Sequence, residues 1–129
     1  MRKNNAFLVK RINDHVQYLN KIKGRLDNTN NFQPTDCHSC ALGCWLDSDG
    51  VNDVLVYGEH MQTLFNRLVE EHEKFHIASH NAVQCHEQGD KVGEYREMTQ
   101  MHKLSNNLIA ILLEMDSVAM QQDRKAKSA

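Results

Sequence analysis

Apolar residues recur along this chain at alternating steps of three and four, the spacing that gathers side chains on one face of an α-helix. In the first segment the stripe is Leu8, Ile12, His15, Leu19, Ile22 and Leu26. A second run places Met61, Leu64, Leu68, His72, Phe75, Ser79 and Ala82 on one side; it begins between Asn52 and Glu59 and stops around Gln88, Gly89 and Asp90. A third carries Met98, Met101, Ser105, Leu108, Leu112, Met115 and Ala119. Few stretches show the period of two that a half-buried strand requires, and there is a single proline, Pro34. The pattern predicts an all-α fold, an up-and-down helical bundle of three long helices.

Between the first two stripes the chain changes character. The stretch DNTNNFQPTDCHSC, residues 27–40, is rich in Asn, Asp, Thr and Pro, which is loop chemistry. ALGCWL reads as a short helical segment beside the cysteines, and the DSDG that follows it reads as a break. No internal repeat is visible. The expected organisation is one domain over residues 1–120, because a chain of this length buries one modest core, followed by a polar tail at 121–129 expected to be disordered.

Charge narrows the partners. Fifteen Lys and Arg stand against 17 Asp and Glu, scattered without a basic stripe, so no nucleic-acid partner is expected. The longest apolar run, Leu108 to Leu113, is far short of the roughly 20 residues of a membrane-spanning helix, and the N-terminus lacks a signal-peptide core. Neither membrane insertion nor export is expected, and the predicted location is cytoplasmic. There, four cysteines serve as thiols or metal ligands rather than disulfides.

Eight histidines then raise the question of a metal. Residues 72–76, HEKFH, match the H-E-x-x-H pattern of zinc metalloproteases, in which two histidines one helical turn apart reach one ion and the glutamate activates its water. A protease of this kind needs a position left open for that water and a strand edge for an extended substrate. No strand signal is visible. His15 also falls on an inner face, where an unpartnered imidazole is costly to bury. Taken alone, it reads as a histidine bonded to a backbone carbonyl or turned outward at the bundle edge rather than as a ligand.

Cys37 and Cys40 have the C-x-x-C spacing of zinc knuckles and redox pairs, but there is no second pair and no βαβ context. One cysteine joined to the histidines would give the nitrogen and sulfur shell that zinc prefers. Cys85, His60, His80, His86 and His102 match no ligand set and read as incidental. A metal-free helical dimerisation module is a third possibility, and it leaves the inward histidines unexplained.

The run Cys40-Ala41-Leu42-Gly43-Cys44-Trp45 resembles the C-x-[LF]-G-x-W motif of the chemoreceptor zinc-binding (CZB) domain family, with H-x-x-x-H downstream and a lone helical histidine upstream. The resemblance extends over nearly the whole chain. It implies a helical bundle in which three histidines and one cysteine hold Zn2+, here His15, Cys40, His72 and His76. The extra thiols Cys37 and Cys44 depart from the family pattern; flanking Cys40, either can compete for the metal or pair with Cys40 in a disulfide. It further implies a non-enzymatic regulatory domain, a homodimer, that acts on a bacterial chemoreceptor or a diguanylate cyclase in response to zinc or to oxidation of the ligand cysteine. Within the motif, Gly43 is expected to permit a tight turn or a close helix approach, and Trp45 to bury its ring and pin the cysteine segment.

Overall fold

The computed structural model describes residues 6–128. The first five residues of the predicted domain and Ala129 lie outside the described residues. Five helices follow one another: α1 (Ala6–Leu26), α2 (Ala41–Leu46), α3 (Asp49–Leu55), α4 (Glu59–Glu87) and α5 (Lys91–Ser128). Among the described residues there is no strand, and no helix is long and apolar enough to cross a membrane. The fold is an all-α bundle.

The three predicted stripes are the buried faces of α1, α4 and α5. Every member of the α4 stripe, from Met61 to Ala82, is buried, as are Met101 to Ala119 on α5 and Leu8, His15, Ile22 and Leu26 on α1. Ile12, Leu19 and Met98 pack half-buried against the same core. α4 and α5 form an antiparallel hairpin closed at Gly89, and Asn107 Nδ2 donates to Glu71 Oε1 across it at 2.9 Å. α1 runs parallel to α4, since His15 meets Phe75 at one level and Arg25 pairs with Glu87 further along both helices.

Two consecutive long helices that run the same way require the chain to come back between them. Residues 27–58 are that return leg. They comprise the predicted loop, α2 and α3, and they carry Cys37, Cys40 and Cys44. α2 is pinned as the motif suggests: Leu42, Trp45 and Leu46 are all buried, and Trp45 Nε1 donates to Asp53 Oδ2 at 2.9 Å.

Two boundaries differ from the sequence pattern. DSDG does not break the chain, because α3 starts at Asp49 and takes Gly50 into its first turn. Gly50 is buried there, and a Cβ on it would come within 2.6 Å of the Trp45 carbonyl oxygen and 3.1 Å of the Trp45 ring. The propensity cost of a helical glycine, about 1 kcal/mol, is offset by seating α3 on that ring. The break comes at Gly58 instead, with φ 93°. The last helix also runs through residues 121–128, where composition alone predicts a tail. That stretch contains neither Pro nor Gly, and Tyr57 donates its hydroxyl to Asp123 Oδ1 at 3.4 Å.

Gly43 is closely surrounded, for a Cβ there would lie 1.8 Å from the Cys37 carbonyl oxygen. Gly43→Ala would gain about 1 kcal/mol of helix propensity and lose about 1–3 kcal/mol to overpacking against backbone. The clash outweighs the gain. We expect net destabilisation of the domain, read as a lowered urea midpoint; a raised midpoint would show that residues 37–43 give way at no cost.

Candidate metal centre

His72 and His76 lie one turn apart on the inner face of α4, 2% and 3% exposed. Their Nε2 atoms are 3.1 Å apart and their rings meet edge to face. Cys40 reaches them from the return leg, with its Sγ 3.2 Å from His72 Nε2. The three donor atoms all lie within 4.8 Å of one another, and this is the group of metal-ligating side chains found among the described residues. Cys40 is the N-cap of α2, and its sulfur accepts from the Gly43 N–H at 3.2 Å. The first turn of that short helix therefore aims the sulfur.

The far side of His76 fixes its tautomer. His76 Nδ1 is 2.8 Å from the Thr35 carbonyl oxygen, which can only accept. The proton must sit on Nδ1, which leaves the Nε2 lone pair facing His72 and Cys40. A carbonyl or carboxylate behind a ligating histidine plays this orienting part in metal sites generally.

Burial keeps every donor neutral. It lowers His72 to about 3, aided by the nearby His76 and His15, and lowers His15 to about 4, aided by His76. His76 is also lowered by burial, against the opposing pull of the Thr35 carbonyl. Burial raises the Cys40 thiol, while the Gly43 and Leu42 amides draw it back down. Neutral imidazoles are ready ligands, whereas the thiol must shed its proton on metal binding.

The spacing suits zinc. Bonds of about 2.0–2.1 Å to nitrogen and about 2.3 Å to sulfur in a tetrahedral shell separate two nitrogens by roughly 3.3 Å and nitrogen from sulfur by roughly 3.6 Å. The observed 3.1 Å and 3.2 Å are close to those edges, and the donor set is of the borderline-soft kind zinc prefers.

His15 is buried nearby, its ring 4.6 Å from that of Phe75, but its Nε2 lies 2.8 Å from Ser105 Oγ on α5 and it stands outside the three-donor group. Cys37 is half-buried and Cys44 exposed, with Cys44 Sγ directed at the His38 carbonyl. Glu73 is exposed on the outer side of α4. His60 pairs with Glu114, and His86 with Glu94 and Asn28, away from the cluster.

His80, which looks incidental in the sequence, donates from Nε2 to the same Thr35 carbonyl at 3.0 Å. The ladder His72, His76, His80 at steps of four was the available signal. Tyr18 and Thr35, which shape the back of the site, had none: Thr35 acts through its backbone, and Tyr18 looks like any core aromatic.

The family profile of the chemoreceptor zinc-binding domain matches residues 15–83, more than half of the chain, and the chain belongs to that family. It is a regulatory family related to chemoreceptor sensing. No curated protein and no solved structure gives a significant match to this chain.

The lowered histidines have a consequence for the metal-free protein. An unfolded chain protonates its histidines near pH 6.5, while His72 and His15 in the fold resist protonation down to about 3 and 4. The unfolded state therefore binds more protons in that window, and the stability contributed by keeping these groups neutral is present above pH 6.5 and lost as pH falls from there toward 4. With chelator present, the urea midpoint should drop between pH 7 and pH 4.5, and the drop should shrink in His72→Gln. An unchanged midpoint in wild type would mean that these imidazoles titrate freely.

Proposed function

We propose that this member of the chemoreceptor zinc-binding domain family is a zinc-binding regulatory module in which His72, His76 and Cys40, with His15 as the fourth ligand, hold one Zn2+ per chain. The convergence of the Cys40, His72 and His76 donor atoms within 4.8 Å, from two separate parts of the chain, is the observation that carries this. His15 is assigned as the fourth ligand because it is buried, neutral and electrostatically coupled to both α4 histidines; to join them its ring must turn from Ser105. A shell filled by four protein ligands leaves zinc no open position, so the metal would act structurally, fastening the return leg to α4.

The domain carries out no chemistry on a substrate in this reading. Its output is the surface that the return leg presents to a partner, a bacterial chemoreceptor or a cyclic-di-GMP-forming enzyme, in a cytoplasmic homodimer. Zinc loss is one input. Oxidation of the Cys40 thiolate is another: a two-electron oxidant such as hypochlorous acid transfers oxygen to sulfur and leaves as chloride, and the sulfenate is a poorer ligand.

Two measurements test this. Metal analysis should find one zinc per chain, with affinity reduced sharply by alanine at each of the four ligands and unaffected by His60→Ala; full zinc occupancy in Cys40→Ala would remove the sulfur from the set. Chelation should raise amide hydrogen exchange between Asp36 and Leu46 while the cores of α1, α4 and α5 stay protected. Unchanged exchange in that segment after verified zinc loss would make the metal a static staple.

A further inference from the structure

The return leg meets the helices at one residue before it reaches Cys40. The Thr35 N–H donates to the Tyr18 hydroxyl oxygen at 2.8 Å, and the Thr35 carbonyl accepts from His76 Nδ1 at 2.8 Å and His80 Nε2 at 3.0 Å. Tyr18 can return its own hydroxyl proton to the Thr35 carbonyl at 3.3 Å. One residue's backbone is thus gripped from both sides, its donor by α1 and its acceptor by α4. Tyr18 is 8% exposed and its ring lies 4.7 Å from that of His76, so ring and hydroxyl address the same histidine by two routes.

We propose that Tyr18 is a positioning residue for the metal centre: by fixing Thr35 it holds the Thr35 carbonyl on His76 Nδ1 and so keeps the His76 Nε2 lone pair turned toward His72 and Cys40. The metal half of this assignment rests on the zinc reading above, and the tautomer half does not. A neutral imidazole has two tautomers of similar intrinsic energy, and the partner of one nitrogen decides which nitrogen is free to ligate. Without the Tyr18 hydroxyl the Thr35 N–H loses its acceptor, and the Thr35 carbonyl keeps only its α4 donors, with no contact from α1 to hold it in line with Nδ1. His76 can then carry its proton on Nε2, the atom that must be bare to bind a metal.

The surroundings separate this role from packing. Tyr18, Thr35 and Cys40 line one open cavity of about 250 Å3, in which water can reach the Thr35 N–H once the hydroxyl is removed. Tyr18→Phe keeps the ring against Phe75 and Phe32 and is expected to fold.

The test compares wild type and Tyr18→Phe by three readouts: the His76 tautomer in metal-free protein, from long-range 1H–15N correlation; zinc affinity, by competition with a chelator; and the visible spectrum of the cobalt-substituted form. Wild-type His76 should be the Nδ1–H tautomer. The variant should show a mixture of tautomers, bind zinc about 10-fold more weakly, as outer-shell substitutions at metal sites do, and give an altered cobalt band. An Nε2–H tautomer in wild type would overturn the assignment. So would a variant whose tautomer and zinc affinity match wild type, or one whose stability falls while both are kept, which would make Tyr18 a packing residue only. If wild type bound no zinc, the zinc reading would fail while the tautomer comparison still decided the role of Tyr18.

Discussion

Two neutral imidazoles facing one another across 3.1 Å inside an apolar helix interface constrain the rest of this domain. His76 has its proton committed to the Thr35 carbonyl, so its Nε2 offers only a lone pair, and the group of α4 that faces it is His72 Nε2 at 3.1 Å. Leaving a buried polar group unpartnered costs about 1–3 kcal/mol. The two histidines cannot resolve this by themselves, because one proton shared between their Nε2 atoms still leaves the His76 Nδ1–H in need of an acceptor. The missing groups come from a segment that approaches from outside, and the return leg supplies both: the Thr35 carbonyl behind His76 and the Cys40 sulfur in front of His72.

That requirement explains why a long stretch of the chain is spent on a leg with so little regular helix. A straight helix between α1 and α4 would present side chains only, and no backbone carbonyl of its interior is free to accept from an imidazole. The loop at 27–40 exposes the Thr35 carbonyl, and α2 begins where the sulfur is needed, with Cys40 as its cap. Leu42, Trp45 and Leu46 then anchor the segment, at about 1.5–3 kcal/mol for each side chain buried. Gly43 allows the two halves of the leg to touch at the Cys37 carbonyl.

What was legible in the sequence follows from what leaves a side-chain pattern. The stripes on α1, α4 and α5 were plain, because burial on a helix repeats at a fixed period. The inward placement of His15 and His72 came from the same periodicity, His76 followed from its four-residue spacing to His72 and from the family resemblance, and the C-x-L-G-x-W run pointed to Cys40. Which partner each of them meets was not legible: His15 and Ser105 both lie on predicted stripes, yet nothing in either stripe says that they face each other. The fold around Thr35 was invisible because a carbonyl belongs to every residue. α3 escaped because a local rule about glycine gave way to a tertiary contact, the seating of Gly50 on Trp45.

A ligand shifts a conformational equilibrium only by the difference in its affinity for the two states. A metal held wholly within α4 would bind a loosened and a closed return leg equally well and would report nothing. In the proposed zinc site Cys40 lies on the leg while the histidines lie on the long helices, so zinc would favour the closed arrangement by whatever affinity is lost when Cys40 departs. The extent of the change is set by the other anchors. Beyond Cys40, the buried Trp45, with its hydrogen bond to Asp53 and its edge contact with Phe65, resists detachment with or without metal. Before Cys40, residues 36–39 bury no large apolar side chain and are tied by hydrogen bonds to Asp36 and by the exposed pair of His38 with Asp47. On the zinc reading, the metal's binding free energy would act on a short stretch between two fixed points, Thr35 and Trp45, and a change there would alter the surface offered to a partner without unfolding the bundle that carries it.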